Sequence, residues 1–223
     1  MQTAPLDVQH DTGQSKAVAS EWCDRILTCW SCRGPVVNDV LFCPTCTAVQ
    51  PPGDVSHFAR LGLPTAFDTS LEALDRNYFD AQRQLHPDRF ATRTPRERSF
   101  SQLQAVSLNE AYETLKDPIR RADYLIALAG GELVPEGCSL VNEQALLHEV
   151  LERREELAEA ETIAAVEALE TAAAADYEAC LEKVAAAFVS DDLEAAARST
   201  TRLKYLGKFI QECRGRRARL GRE

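Results

Sequence analysis

Four cysteines near the amino terminus form two Cys-x-x-Cys pairs, Cys29 with Cys32 and Cys43 with Cys46. Two such pairs can place four thiolates at the corners of a tetrahedron around one Zn²⁺, with zinc–sulfur bonds of about 2.3 Å. Because so short a segment has no hydrophobic core of its own, metal binding would supply most of its folding free energy. The spacing predicts one structural zinc ion that folds residues 25–50, the knuckle segment, and leaves the helical body independent of it.

Three alternative interpretations of the same four thiols stay open: a mononuclear iron site of the rubredoxin type, a redox dithiol, or disulfide bonds. Disulfides are least favoured, because we expect an intracellular protein. Between the outer cysteines only Arg33 is basic, against Asp39, so the segment lacks the phosphate-binding side chains of a nucleic-acid finger. A structural or protein-docking role is favoured. Cys23 is predicted to be a spare thiol, and three further cysteines are predicted to be small buried residues: Cys138, Cys180 and Cys213.

A second polar group is the tripeptide His86-Pro87-Asp88. Proline disfavours helical dihedrals in the residue before it, so a helix should end near Leu85 or His86. An imidazole and a carboxylate on either side of a rigid proline are costly to bury and well placed to contact a partner. The tripeptide therefore predicts an exposed binding loop.

Two helices must hold this loop. The first runs from Thr69 to Leu85 and carries apolar residues at the three-and-four spacing of a one-sided helix: Leu71, Leu74, Tyr78, Ala81 and Leu85. The second stops at Asp117-Pro118 and carries a similar set: Leu103, Val106, Ala111, Tyr112 and Leu115. Two sequence pairs have the form of helix-starting capping boxes: Thr69 with Glu72, and Thr94 with Glu97.

This pattern resembles the J-domain over about residues 56–118. A short leading helix ends at Gly62, and Asn109-Glu110-Ala111-Tyr112 is similar to the end of the third J-domain helix. The resemblance implies that the chain stimulates ATP hydrolysis by a DnaK-type chaperone. The residues implied in that contact are His86, Pro87, Asp88, Arg83 and Arg89. A simple helical hairpin with a proline turn is the alternative.

The rest of the chain is predicted to be helical. A linker helix follows Asp117 and ends at Gly130-Gly131, and three antiparallel bundle helices cover about 143–160, 163–189 and 192–214, the last capped by Asp191 with Glu194. From Glu143 to Lys183 there are twelve acids and three bases, and from Arg198 to Arg222 nine bases and one acid. We expect acidic and basic helices to lie side by side, in preference to a nucleic-acid-binding tail.

The first bundle helix has two faces. Leu146, Val150 and Leu157 share the face that we assign to the core. On roughly the opposite side lies a set of residues that we call the outward stripe: Leu147, His148, Leu151, Glu152, Glu155 and Glu159. Apolar anchors inside a charged rim are typical of a docking surface. Alternatively, Leu147 and Leu151 pack beneath the J-like module.

Arg121-Ala122 before Tyr124-Leu125, and the acidic run from Leu151 to Leu157, resemble the HscB family of J-type co-chaperones in iron–sulfur cluster biogenesis. The resemblance covers about residues 56–213, and the paired cysteines match a zinc domain of eukaryotic members. It implies a non-enzymatic co-chaperone whose bundle binds the iron–sulfur scaffold protein and promotes cluster transfer to acceptor proteins. The implied scaffold surface is the outward stripe with Tyr205; His148 replaces a more usual apolar residue, and Arg89 replaces a common lysine.

Composition limits the remaining possibilities. A net charge of −10 argues against general affinity for nucleic acid or acidic membranes, and no apolar run is long enough to span a bilayer. The first twenty residues contain Asp7 and Asp11 but no arginine, a weak presequence at best. The family resemblance implies the mitochondrial matrix, with the cytoplasm as the alternative.

Two other functions stay open: a J-type co-chaperone for a different client, and a zinc or iron redox protein.

We therefore expect an all-α protein: a J-domain hairpin, a three-helix bundle and a small amino-terminal zinc domain. The predicted boundaries are a disordered or weak targeting segment at 1–24, the knuckle segment at 25–50, the J-domain with its linker helix at 56–128, and the scaffold-binding bundle at 142–220.

Overall fold

The computed structural model describes residues 26–38, 40–131 and 144–222. Two short strands, β1 (Ile26–Thr28) and β2 (Pro35–Val37), pair antiparallel. The other regular elements of the described residues are helices, so the predicted all-α class is confirmed. The predicted 1–24 segment, Asp39, Cys23 and Cys138 lie outside the described residues.

Seven α-helices follow the strands in the described part of the chain. Four belong to the first helical module: α1 (His57–Arg60), α2 (Leu71–Leu85), α3 (Pro95–Lys116) and α4 (Pro118–Leu128). A 3₁₀ turn, Pro87–Phe90, lies between α2 and α3. The other three form the bundle: α5 (Gln144–Glu159), α6 (Ile163–Val189) and α7 (Leu193–Leu220). No helix in the described ranges is long and apolar enough to cross a membrane.

Two predicted helix caps are wrong by one residue. Ser70, not Thr69, accepts the first-turn N–H of α2, because the Thr69 hydroxyl donates to a carbonyl before the helix instead. Asp192, not Asp191, caps α7, because Asp191 has a left-handed backbone (φ 57°) that ends the preceding turn. A predicted third cap, the Thr94 capping box at the start of α3, is confirmed.

The core of the hairpin differs from the predicted apolar set on α3. Leu103 and Val106 are exposed, because the buried face of α3 continues through two polar residues, Ser101 and Gln104, at the same three-and-four spacing as Leu108. The Ser101 hydroxyl donates to the Leu85 carbonyl at 2.8 Å, so it is buried without losing its hydrogen bond. Leu71, in the first turn of α2, is also exposed.

The hairpin and the bundle share this core. Val184 of α6 is fully buried among hairpin residues, and Phe188 stacks on Phe67 with ring centroids 5.5 Å apart. An ion pair of 2.9 Å between Lys204 of α7 and Asp123 of α4 adds a second contact. The two helical modules are therefore held together by packing as well as by the chain that connects them.

Ion pairs join the acidic and basic bundle helices side by side, as predicted. Arg214 and Arg217 of α7 both bind Glu170 of α6, at 2.9 and 3.0 Å. Arg202 of α7 binds Glu149 of α5 at 2.8 Å. These ion pairs neutralise much of the basic charge that a nucleic-acid-binding tail would need.

Candidate functional site

The four cysteine sulfurs lie within 4.8 Å of one another. The Sγ atoms of Cys29 and Cys46 are 3.7 Å apart, and so are those of Cys32 and Cys43. A tetrahedron with metal–sulfur bonds of about 2.3 Å has edges of about 3.8 Å. The sulfurs are free thiols, spaced as ligands of one metal ion.

Both cysteine pairs fold by the same turn. The residue after the second cysteine of each pair has a left-handed backbone, Arg33 with φ 61° and Thr47 with φ 58°. Its N–H donates to the carbonyl of the first cysteine, Cys29 or Cys43, at 3.0 and 2.9 Å. The repeated turn directs four thiols to one point from two separate stretches of chain.

The electrostatics of the cluster favour a cation. Burial opposes ionisation of Cys29, but N–H donors from Cys32 and Ser31 outweigh it and lower its pKa to about 6. At Cys32 the Gly34 N–H favours the thiolate, yet the neighbouring thiols raise its pKa to about 12. Adjacent thiolates repel one another, so the full set ionises only with a positive ion among them. These donors fit a metal that prefers thiolate ligands.

A second layer of hydrogen bonds connects the cluster to the hairpin. The buried Gln50 amide donates to Cys29 Sγ at 3.5 Å and to the Ala48 carbonyl at 2.8 Å. The Gln50 carbonyl accepts a 3.1 Å hydrogen bond from buried Gln104 of α3. The Cys29 sulfur is therefore two hydrogen bonds away from a helix of the J-like hairpin.

Trp30, between the first two cysteines, docks the knuckle segment on α3. Its ring meets Phe100 edge to face at 5.6 Å, and the Arg96 guanidinium lies 4.7 Å above the indole. Its N–H donates to the Val49 carbonyl at 2.8 Å, and Val49 is buried in the hairpin core. The knuckle segment is thus packed against the hairpin, which argues against the predicted independence of the helical body. In the sequence, the aromatic residue between the two cysteines is the signal that indicates this contact.

The His86-Pro87-Asp88 tripeptide lies at the exposed end of the hairpin. His86 ends α2 in an extended conformation (ψ 131°), as expected before proline, and Pro87 begins the 3₁₀ turn. The Asp88 N–H donates to His86 Nδ1 at 3.3 Å, and both side chains are mostly exposed. Buried Phe90 anchors the turn from below. The structure presents an imidazole and a carboxylate on a supported loop.

The two arginines predicted beside the tripeptide differ in their surroundings. Arg83 of α2 is exposed and bonded to Asp80, which partly neutralises it. Arg89 is exposed in the 3₁₀ turn, on the other side of the tripeptide. More free positive charge therefore lies after the tripeptide than before it.

The outward stripe of α5 faces away from the bundle core. Leu146 and Leu157 are buried, Val150 is half-buried, and Leu147 and Leu151 are 36% and 50% exposed. The structure does not place the last two leucines beneath the hairpin. The polar members of the stripe are all exposed: His148, Glu152, Glu155 and Glu159.

Tyr205, the predicted scaffold contact on α7, is half-buried. It lines a groove between α5 and α7 together with Leu146 and Val150, and its rim includes Arg154 paired with Glu212 at 2.8 Å. Tyr205 therefore lies on the core-facing side of α5, and no residue of the outward stripe lines its groove.

Comparison with known families assigns both helical modules. Residues 56–124 match the model of the DnaJ domain, and residues 142–214 match the HSCB C-terminal oligomerisation domain.

Individual relatives give the same result. The human iron–sulfur cluster co-chaperone protein HscB is 34% identical over 188 residues, covering 82% of this chain and 80% of the relative. A co-chaperone protein HscB homolog from Vibrio cholerae is 35% identical over 162 residues, covering 71% of this chain and 94% of the relative. The crystal structure of human HscB superposes with a TM-score of 0.79 at 33% identity, over 84% of this chain and 97% of that one. The chain belongs to the HscB family of iron–sulfur cluster co-chaperones, and its hairpin is a J-domain.

Proposed function

We propose that this co-chaperone stimulates the ATPase of a DnaK-type chaperone through its J-domain and brings an iron–sulfur scaffold protein to that chaperone. The observation that carries the proposal is the exposed His86-Pro87-Asp88 loop, held between two packed helices of a J-domain. The outward stripe on a separate surface supports the second half of the proposal.

The chaperone contact is assigned to the loop and its two flanking arginines, Arg83 and Arg89. The loop contributes little to the core, so its side chains are available to a partner. The carboxylate of Asp88 and the ring nitrogens of His86 offer hydrogen bonds on a backbone stiffened by Pro87. The contact alters ATP hydrolysis only if it is stronger in one nucleotide state of the chaperone than in the other.

The scaffold contact is assigned to the outward stripe, whereas Tyr205, which the family resemblance also implies, lies in a groove on the core-facing side of α5. Two exposed leucines one helical turn apart can each enter a pocket of a partner, while the surrounding glutamates form a rim. His148 Nδ1 lies 3.3 Å from a carboxylate oxygen of Glu152, so its imidazole is positioned by the rim. We assign the anchoring role to Leu147 and Leu151.

The shared core of the hairpin and the bundle supports a delivery function. Phe67 and Phe188, Val184, and the Lys204–Asp123 pair hold the two binding surfaces in one arrangement. A scaffold bound on α5 is then presented at a fixed position relative to the chaperone. ATP hydrolysis strengthens the chaperone's hold on the scaffold, and the altered scaffold releases its cluster to acceptor proteins.

The cysteine cluster is assigned to one structural Zn²⁺, held by Cys29, Cys32, Cys43 and Cys46. Four thiolates with the observed spacing leave no open coordination position, which is typical of structural rather than catalytic zinc. Bound zinc would hold the knuckle segment folded against α3. The zinc role rests on the donor set together with the family resemblance. A location in the mitochondrial matrix rests on the family resemblance.

The proposal is tested with the DnaK-type chaperone and the iron–sulfur scaffold of the source organism, both purified. We expect the co-chaperone to raise ATP turnover by the chaperone, and scaffold to raise it further. His86→Gln should abolish both effects without lowering the melting temperature, because the loop is exposed. Normal stimulation by that variant would contradict the proposal. Stimulation that no iron–sulfur scaffold enhances would assign the bundle to a different client.

A further inference from the structure

The knuckle segment forms one wall of a groove beside the tripeptide loop. Phe42 and Thr47 come from the knuckle segment. Opposite them lie Gln84 at the end of α2, and Arg89 and Phe90 of the 3₁₀ turn. Arg93 completes the groove before α3 begins. Since Arg89 directly follows Asp88, the groove continues the surface that we assign to the chaperone.

The groove is basic in a protein of net charge −10. Arg89 and Arg93 are both exposed, and neither forms an ion pair with any residue that the structure describes. The acidic lining residue, Glu97, is engaged, because its carboxylate accepts the Thr94 N–H at 3.0 Å and the Thr94 hydroxyl at 2.8 Å. Glu97 keeps its negative charge and is attracted by Arg93, so two guanidinium groups against one carboxylate leave the groove with a net positive charge.

The groove is built before any partner binds. Phe42 packs partly buried against the J-domain core and pairs with Val49 in an isolated bridge. Trp30 and Gln50 fix the rest of the segment on α3. A preformed wall costs little ordering entropy on binding.

We infer that the knuckle segment is part of the chaperone-binding surface, and that the groove receives an acidic segment of the DnaK-type chaperone while the tripeptide loop makes its own contact. The inference rests on the proposed function. Two features favour this occupant: continuity with the loop, and complementary charge at Arg89 and Arg93. In α2 the available charge is reduced, since Arg83 is bonded to Asp80. Arg89 and Arg93, in the J-domain wall opposite the knuckle segment, supply the positive charge instead.

Two variants of Thr47, to aspartate and to asparagine, have side chains of the same shape and differ only in charge. Thr47 is exposed in the groove wall with a left-handed backbone, which asparagine and aspartate tolerate well. Thr47→Asp should raise the co-chaperone concentration that gives half-maximal ATPase stimulation by about fivefold at low salt. Thr47→Asn, of equal size but neutral, should behave as wild type. Maximal stimulation should be unchanged in both, because the tripeptide is intact.

Arg33 is the matched control, since it occupies the equivalent turn of the first cysteine pair and does not line the groove. Arg33→Asp removes more positive charge than Thr47→Asp, yet should leave the half-maximal concentration within twofold of Arg33→Asn. On the opposite wall, Arg93→Gln should weaken binding as Thr47→Asp does, and it lies outside the metal-binding turns. Metal content and melting temperature are measured for each variant.

Several results would overturn the inference. One is a Thr47→Asp protein that matches Thr47→Asn, with Arg93→Gln also unchanged. Equal loss in Arg33→Asp would mean that overall charge, not the groove, controls binding. Tighter binding of Thr47→Asp would assign the groove to an acidic stretch of this chain's own, such as residues 1–24. If His86→Gln stimulates normally, the proposed function itself fails, a result separate from all of these.

Discussion

The ring of Trp30 meets the ring of Phe100 edge to face, with centroids 5.6 Å apart. Trp30 belongs to the first cysteine pair and Phe100 to the first third of α3, so this contact joins the knuckle segment to the J-domain. The Arg96 guanidinium lies 4.7 Å above the indole. The knuckle segment is therefore packed against a helix that holds the tripeptide loop.

Loss of the metal should lower the stability of the J-domain. Cys32→Ser removes one ligand without touching α3, yet it should reduce the melting temperature recorded by helical circular dichroism. Trp30→Ala should cost about 1–3 kcal/mol, because it removes an aromatic pair, a cation–π contact and buried area. Arg33→Ala, exposed in the same segment, should be neutral. An unchanged helical melting curve for Cys32→Ser would instead support the prediction from sequence that the helical body is independent of the knuckle segment.

The J-domain and the bundle should unfold together. Phe188→Ala removes the ring stacked on buried Phe67 and should destabilise the protein by about 1–3 kcal/mol. Val189→Ala is the control, because the neighbouring side chain is 89% exposed. Denaturant unfolding followed by tryptophan fluorescence, which reports on Trp30 packed against the J-domain, and by circular dichroism, which reports on all helices, should give coincident transitions in the wild type. Two separated transitions would contradict a common core.

The capping box at Thr94 should give a pH-dependent contribution to stability. The pKa of Glu97 is lowered, first by the Thr94 side chain and then by the Thr94 backbone N–H. A lowered carboxyl pKa stabilises the fold above the unfolded value of 4.5, and this stability is lost as pH falls through the folded pKa. Thr94→Ala should cost about 1 kcal/mol at pH 7 and less at pH 3. Thr92→Ala, outside the box, should show no such dependence in urea unfolding.

Binding of the scaffold protein should depend on the two exposed leucines of α5. Leu147→Ala with Leu151→Ala should weaken scaffold binding by about 2–4 kcal/mol in calorimetry, since anchors near an interface centre carry most of its energy. Replacing Glu152, Glu155 and Glu159 should act mainly on association rate and salt dependence. Stimulation of the chaperone without scaffold should be unaffected.

A matched double variant, Leu128→Ala with Ile163→Ala, removes two leucine-sized side chains of similar exposure outside the stripe. It should leave scaffold affinity unchanged. Equal affinity of both double variants for scaffold would remove the stripe from the interface. A large drop in melting temperature for the Leu147 and Leu151 variant would mean that these leucines support the fold.

Much of the architecture could be predicted from the sequence, because it depends on local patterns. Proline after His86 predicts the end of α2, and the faces of α5 follow from helical periodicity, with Leu146 buried and Leu151 exposed. The spacing of the four cysteines predicts their convergence.

The sequence predictions are wrong where tertiary contacts decide which residues are buried. Ser101 and Gln104 are buried because distant carbonyls, those of Leu85 and Gln50, accept their hydrogen bonds. An apolar periodicity cannot identify them. The groove at Thr47 combines residues far apart in the chain, and its existence depends on how Trp30 docks the knuckle segment on α3. No local pattern contains that information.

We propose that the J-domain loop of this co-chaperone couples ATP hydrolysis to cluster release from a bound scaffold. The most direct measurement is the rate of iron–sulfur cluster transfer from a loaded scaffold to an apo-acceptor protein, followed by visible circular dichroism with the DnaK-type chaperone present. We predict that the wild type accelerates transfer when ATP is present, that His86→Gln with the same melting temperature does not, and that neither does so without ATP. Equal acceleration by wild type and His86→Gln, or acceleration that needs no ATP, would contradict the account.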